Sequence, residues 1–213
     1  MSASPRLART LVAIDAANAD DPRKVETAHG PVPFEGLYAE RMTTALARVY
    51  PEASELLQIA ARAQHLRRWE ILRSDFPEGR VGYNDWRKTC RAHHAARVGA
   101  IMQEHGYTET DAARVGLLIR KEQLKKDPES QALENVAALV FLEHYFDAFL
   151  AKYAGYEDEK IVDIIGKTLC KMSPRGHAAA LRLPLAPHAQ KLVAAALQKE
   201  AAALERLAKV AVD

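Results

Sequence analysis

The 213-residue sequence holds only two cysteines, Cys90 and Cys170. That is too few for a disulfide framework, and neither belongs to a CxxC pair, so reduced thiols in a cytoplasmic protein are expected. Long apolar runs are missing too. No stretch approaches the roughly 20 apolar residues of a membrane span. The short apolar run near the N-terminus meets acid at Asp15, which argues against a secretory leader. Charge of one sign is in short supply. Thirty basic side chains face 28 acidic ones for a net charge of +2, so the whole-protein field makes no case for nucleic acid. Walker A, GxGxxG, GxSxG and HExxH patterns are all absent, which removes the usual signatures of nucleotide-binding, serine-hydrolase and zincin chemistry. Convincing β alternation is lacking as well.

What is present is helical periodicity. "RLARTLVAIDAAN" repeats apolar residues at helical spacing and stops in "ADDP". Residues 23–35 read as a loop, because "HGPVPF" carries two prolines and a glycine. "EGLYAERMTTALARVY" is amphipathic. Residues 51–68, "PEASELLQIAARAQHLRR", read as a helix with proline in its first turn. A long loop over 70–82 precedes a helix ending at Gly106, and Thr108 with Asp111 comes close to a capping box. Residues 131–153 form the most apolar helix. Ser173 and Pro174 read as the cap and first position of another, and a last helix spans about 187–211. These signals predict an all-α bundle of residues 1–185, with residues 186–213 as a helical extension packed on the same domain or pairing with a second copy in a homodimer.

Eight histidines are the first chemical signal. Polar residues stand within segments patterned for burial: Glu40 in "YAERM", His65 in "ARAQH", His93 or His94 in "RAHHAARVGAIM" and Glu134 in "ALENVAALVFLE". Helical bundles assemble sites from such inward-facing groups, and buried ionisable groups must be paired or metal-bound. Glu40, His65, His94 and Glu134 would suit Mn, Fe or Zn, or form a buried hydrogen-bond network without metal. The second signal is basic. From Arg62 to Arg97, nine basic residues face four acidic ones, a local balance of +5 in a chain of +2. Arg67, Arg68, Arg87, Lys121 and Lys125 are candidates for a phosphate or carboxylate, and Trp69 for stacking beside it.

The run "LYAERM…AARAQHLRRWEI…GYNDWRK…HHAARVGAIM…LIRKEQLKKDPESQALENVAALVFLEHYF…KMSPRGHAAAL" resembles the family known as domain of unknown function 4202, over about residues 10–197. It is more distantly similar to the HD superfamily of helical metal-dependent phosphohydrolases. There an apolar helix closes in His-Asp; here it closes in His65, with Leu66 in place of the aspartate. These resemblances imply an HD-like helical fold. The inward polar set beside the basic cluster suggests a metal-dependent hydrolase of a small phosphorylated compound or nucleotide, with Glu134 and Lys121 in the chemistry. The alternative is a non-catalytic HD-like module that binds an anionic ligand.

Overall fold

The structure, a computed structural model, describes residues 4–212 and is all-α apart from one two-stranded ribbon. It divides into two compact units, Met1–Glu122 and Gln123–Asp213. No helix among the described residues is long and apolar enough to cross a membrane.

The first unit opens with α1 (Pro5–Ala19), whose first-turn amides are satisfied by the Ser4 hydroxyl accepting from the Leu7 N–H. The stretch expected to be loop then folds as a hairpin, β1 (Lys24–Thr27) against β2 (Gly30–Pro33). Its register pairs Val25 with Val32, and the two prolines of β2 fall opposite Glu26 and Lys24. They share one parity of an edge strand, where proline is tolerated. Gly30 supplies the positive φ, 99°, that the tight turn demands.

The hairpin feeds α2 (Phe34–Val49), which buries Tyr38, Ala39, Met42, Ala45 and Leu46. Next comes α3 (Glu55–Arg62), capped by Ser54. It starts four residues after Pro51 and ends six residues before Arg68, so the helix expected over 51–68 is much shorter. Residues 63–67 form turns, and a 3-10 turn covers Arg68–Glu70. The expected loop over 70–82 contains a second 3-10 turn, Arg73–Asp75. The long α4 (Gly79–Glu104) begins within that stretch and packs along α5 (Glu109–Arg120). The capping box that Thr108 and Asp111 foreshadow is present. α4 and α5 approach closely through small residues, with Ala95 facing Gly116 and Gly99 facing Ala112.

The second unit contains α6 (Pro128–His144), α7 (Phe146–Lys152), α8 (Asp158–Leu169), α9 (Pro174–Ala180), α10 (Pro187–Lys199) and α11 (Ala201–Ala208). The helix expected over 131–153 is interrupted at Tyr145, where an interlocked set of Phe141, Phe146 and Phe149 rings fixes the bend. The expected C-terminal helix is likewise two, divided at Glu200, whose side chain lies against Gly166 of α8. Ser173 does cap α9 by position, but its hydroxyl accepts from the Asn135 amide instead of the helix.

A carboxylate-backed histidine pair as candidate functional site

The site grows from a reversal of the chain after α3. Leu66 is wholly buried. Arg67 adopts a left-handed conformation, φ 52°, and its N–H donates to Asn18 Oδ1 of α1 at 3.0 Å. A non-glycine residue in this region is costly unless its surroundings hold it there. Asn18, almost fully buried, supplies that hold and turns the chain so that His65 faces α2 and α4.

His65 Nδ1 lies 3.1 Å from Glu35 Oε2. Glu35 stands in the first turn of α2 with its side chain fully buried. Its other oxygen accepts from Arg23 Nη2 at 2.7 Å. Arg23 also forks onto Asp21, at 3.0 and 2.9 Å. Asp21 in turn accepts the Glu35 backbone N–H at 3.0 Å, serving the helix start in place of a side-chain cap. Burial alone would push the Glu35 carboxyl up, but its hydrogen bonds from His65 and Arg23 outweigh that and hold it below the usual range. Asp21 is held down in the same way, by Arg23 and two backbone amides against the pull of burial. The carboxylate therefore stays ionised and takes the Nδ1–H of a neutral ring. Burial pushes His65 down to about 4, helped by the positive charges of Arg68 and Lys121 and only partly opposed by Glu35. The Tyr38 ring stacks on it at 3.9 Å and 10°. The His65 side chain nevertheless keeps 23% of its surface exposed.

His94 of α4 is the second ring, with centroids 6.0 Å apart. Its Nδ1–H donates to the Leu66 carbonyl at 2.8 Å, and its Nε2 has no hydrogen-bond partner among the described residues. Burial drives it down to about 2, with His65 adding to the effect. Its neighbour His93 sits edge-on to the His94 ring at 5.8 Å and reaches Glu70 at 3.0 Å. Both rings of the pair thus have Nδ1 anchored, one by a carboxylate and one by a carbonyl, and both leave Nε2 as a lone pair. Cys90, one turn before His94, is fully buried, and burial raises its thiol, so it stays protonated and inert.

The sequence-predicted residues distribute unevenly around this pair. Arg68 lies over the Trp86 ring at 4.4 Å, and Lys121, the left-handed cap of α5, bears on His65 by its charge. Arg67 is consumed structurally, bonding Glu70, Asp20 and the Ala17 carbonyl and lying 5.2 Å from the Trp69 ring. Arg87 covers the Tyr83 ring at 5.7 Å. Glu40 is exposed on α2, and the buried carboxylate beside His65 is Glu35, which the apolar pattern did not single out. Glu134 is a buried residue of α6 in the second unit. Lys125, also there, donates to the Cys170 carbonyl at the end of α8 at 2.8 Å. Among the described residues no group of three or more His, Cys, Asp or Glu side chains is placed to hold a metal ion. His65 and His94 are two imidazoles, one short of the three protein ligands common in catalytic zinc sites; His93 beside them is engaged by Glu70, and the carboxylate on His65, Glu35, is also held by Arg23.

Fold and site together define a helical protein with a carboxylate-backed histidine pair beside basic side chains. The chain belongs to the family described as domain of unknown function DUF4202, whose model matches residues 8–193. No curated protein and no solved structure matches it.

Proposed function

We propose that the Met1–Glu122 unit is an HD-like module that binds a small phosphorylated compound beside His65 and His94. The observation that carries this reading is Arg68. Arg23, Arg62, Arg67 and Arg97 each form an ion pair with a carboxylate. Arg68, next to two uncharged rings, forms none with any described residue and lies on Trp86. A planar guanidinium without a counter-ion is suited to a bidentate anion, and Lys121 adds a second positive charge nearby. Inorganic phosphate and a panel of phosphorylated metabolites should raise the melting temperature, with binding confirmed by calorimetry. Arg68→Ala should weaken phosphate binding about tenfold or more, the loss expected for a charge-assisted contact. Equal binding by wild type and variant would remove the reading.

A second reading, metal-dependent phosphohydrolysis with Mn, Fe or Zn, draws on the anchored Nδ1–H groups of both rings. That outer-shell pattern typically orients metal-ligating histidines. Elemental analysis of chelator-free protein, with phosphate release from p-nitrophenyl phosphate, separates the two. Stoichiometric metal with metal-dependent turnover favours hydrolysis, and phosphate binding without either favours the module.

A further inference from the structure

We infer that Nε2 of His65 is the proton acceptor of this site and that Glu35 is the residue that positions it. The inference deepens the reading above, because the hydroxyl or water that gives up its proton is one held beside the bound anion. Three contacts fix the ring. Glu35 Oε2 takes Nδ1–H at 3.1 Å, Tyr38 stacks on one face at 3.9 Å, and Arg23 holds the far oxygen of Glu35 at 2.7 Å. With the proton confined to Nδ1, the lone pair must lie on Nε2, the tautomer less favoured by a free imidazole in water. The side chain is 23% exposed, whereas Glu35 is sealed, so the ring is the member of the pair that a ligand can reach.

The step is a proton transfer. The O–H bond of the bound hydroxyl or water breaks, an N–H bond forms at Nε2, and the resulting imidazolium is stabilised by the Glu35 carboxylate through Nδ1–H. A buried carboxylate behind an imidazole does the same in hydrolytic triads, where it fixes the tautomer and stays ionised. Arg68 and Lys121 bear on His65 as positive charges and lower its proton affinity, so the ring rests uncharged and holds a proton only in passing, while Glu35 pulls the other way.

The full-length protein, labelled with nitrogen-15, tests this by long-range proton–nitrogen correlation of the imidazoles at pH 7.5. The expected spectrum has His65 protonated at Nδ1 and bare at Nε2. A proton on Nε2 overturns the inference. Diethyl pyrocarbonate supplies a second measurement. Nε2 attacks one carbonyl, the N–C bond forms as the C–O bond breaks, and ethanol and carbon dioxide leave. Mapped by mass spectrometry, modification is followed at His65, whose side chain is 23% exposed, with the exposed His188 at 59% as the internal reference. Glu35→Gln should slow the His65 reaction about tenfold or more while leaving His188 unchanged, and Glu35→Asp should restore much of it. An unchanged rate in a folded Glu35→Gln overturns the inference. If that variant does not fold, the wild-type tautomer decides. Inorganic phosphate should protect His65. Absence of protection with the tautomer intact overturns the anion-binding reading and leaves the proton acceptor standing.

Discussion

Glu35 connects one exposed arginine to one half-buried ring, and both depend on it. Its removal leaves the Arg23 guanidinium with Asp21 alone and the His65 Nδ1–H without an acceptor in a sealed place. Glu35→Ala is therefore expected to cost about 3 kcal/mol, in the range for breaking a buried charged pair from one side. Urea unfolding checks it, and a loss under about 1 kcal/mol would show that water reaches the gap. The residue was hard to read in the sequence for a physical reason. A glutamate in the first turn of a helix looks like an ordinary partner for the helix dipole. What buries Glu35 is Asp21 taking its backbone amide across 14 residues of chain. Glu40 stands among apolar neighbours in the sequence, a pattern that predicts an inward face, yet it is exposed. His65 and His94, by contrast, were legible as polar side chains in runs otherwise patterned for burial. Their pairing was not, since it depends on where α3 stops.

α3 stops because of a contact that no local pattern announces. "AARAQHLRRW" keeps helical spacing through Trp69, but the Arg67 amide goes to Asn18, 49 residues away, and the helix ends at Arg62. Helix starts, in contrast, are local and readable, at Thr108 through its capping box and at Pro174 as the first position of α9. The hairpin is hidden in the sequence because two prolines and a glycine normally punctuate loops, whereas here they fit one edge of a two-stranded ribbon. α4 carries Trp86, Cys90 and His94, so its start sets the site. Gly82 packs directly against the Pro77 backbone carbonyl, which also accepts from Arg73. A methyl group there cannot be met by a flexible side chain, and the backbone itself has to move. Gly82→Ala is expected to destabilise by about 2 kcal/mol and to shift the His94 resonances. A variant as stable as wild type, with unchanged His94 signals, would show that the Pro77 turn yields without disturbing α4.

For the whole molecule, two neutral histidines, one half-buried and one buried, make stability depend on pH with a definite sign. Their folded values, about 4 for His65 and about 2 for His94, lie below the 6.5 of the unfolded chain. Between pH 6.5 and 4 the unfolded state therefore binds more protons than the folded one, and stability falls as pH falls. Each ring adds a slope approaching about 1.4 kcal/mol per pH unit. Asp21 and Glu35, held below their ordinary values, add a further loss below about pH 4.5 as the unfolded chain takes up protons there. Urea midpoints at pH 7, 6 and 5 should fall in that order. His94→Gln should flatten the trend between pH 6 and 5, and a midpoint constant from pH 7 to 5 would contradict the neutral pair.

The order of assembly follows from the same network. Asp21, Arg23 and Glu35 lie within 14 residues, so their loop closes cheaply, while His65 must return over 30 residues and Arg67 over 49. Closure entropy rises with separation, so the charged frame can form while the ring is still at large. Early in folding, Glu35 is then a desolvating carboxylate with Arg23 as its one cation, and the arrival of His65 completes it. The α1–hairpin–α2 segment becomes a template on which the later turn is selected, and slowing hairpin closure should delay the histidine pair more than it delays α4 and α5.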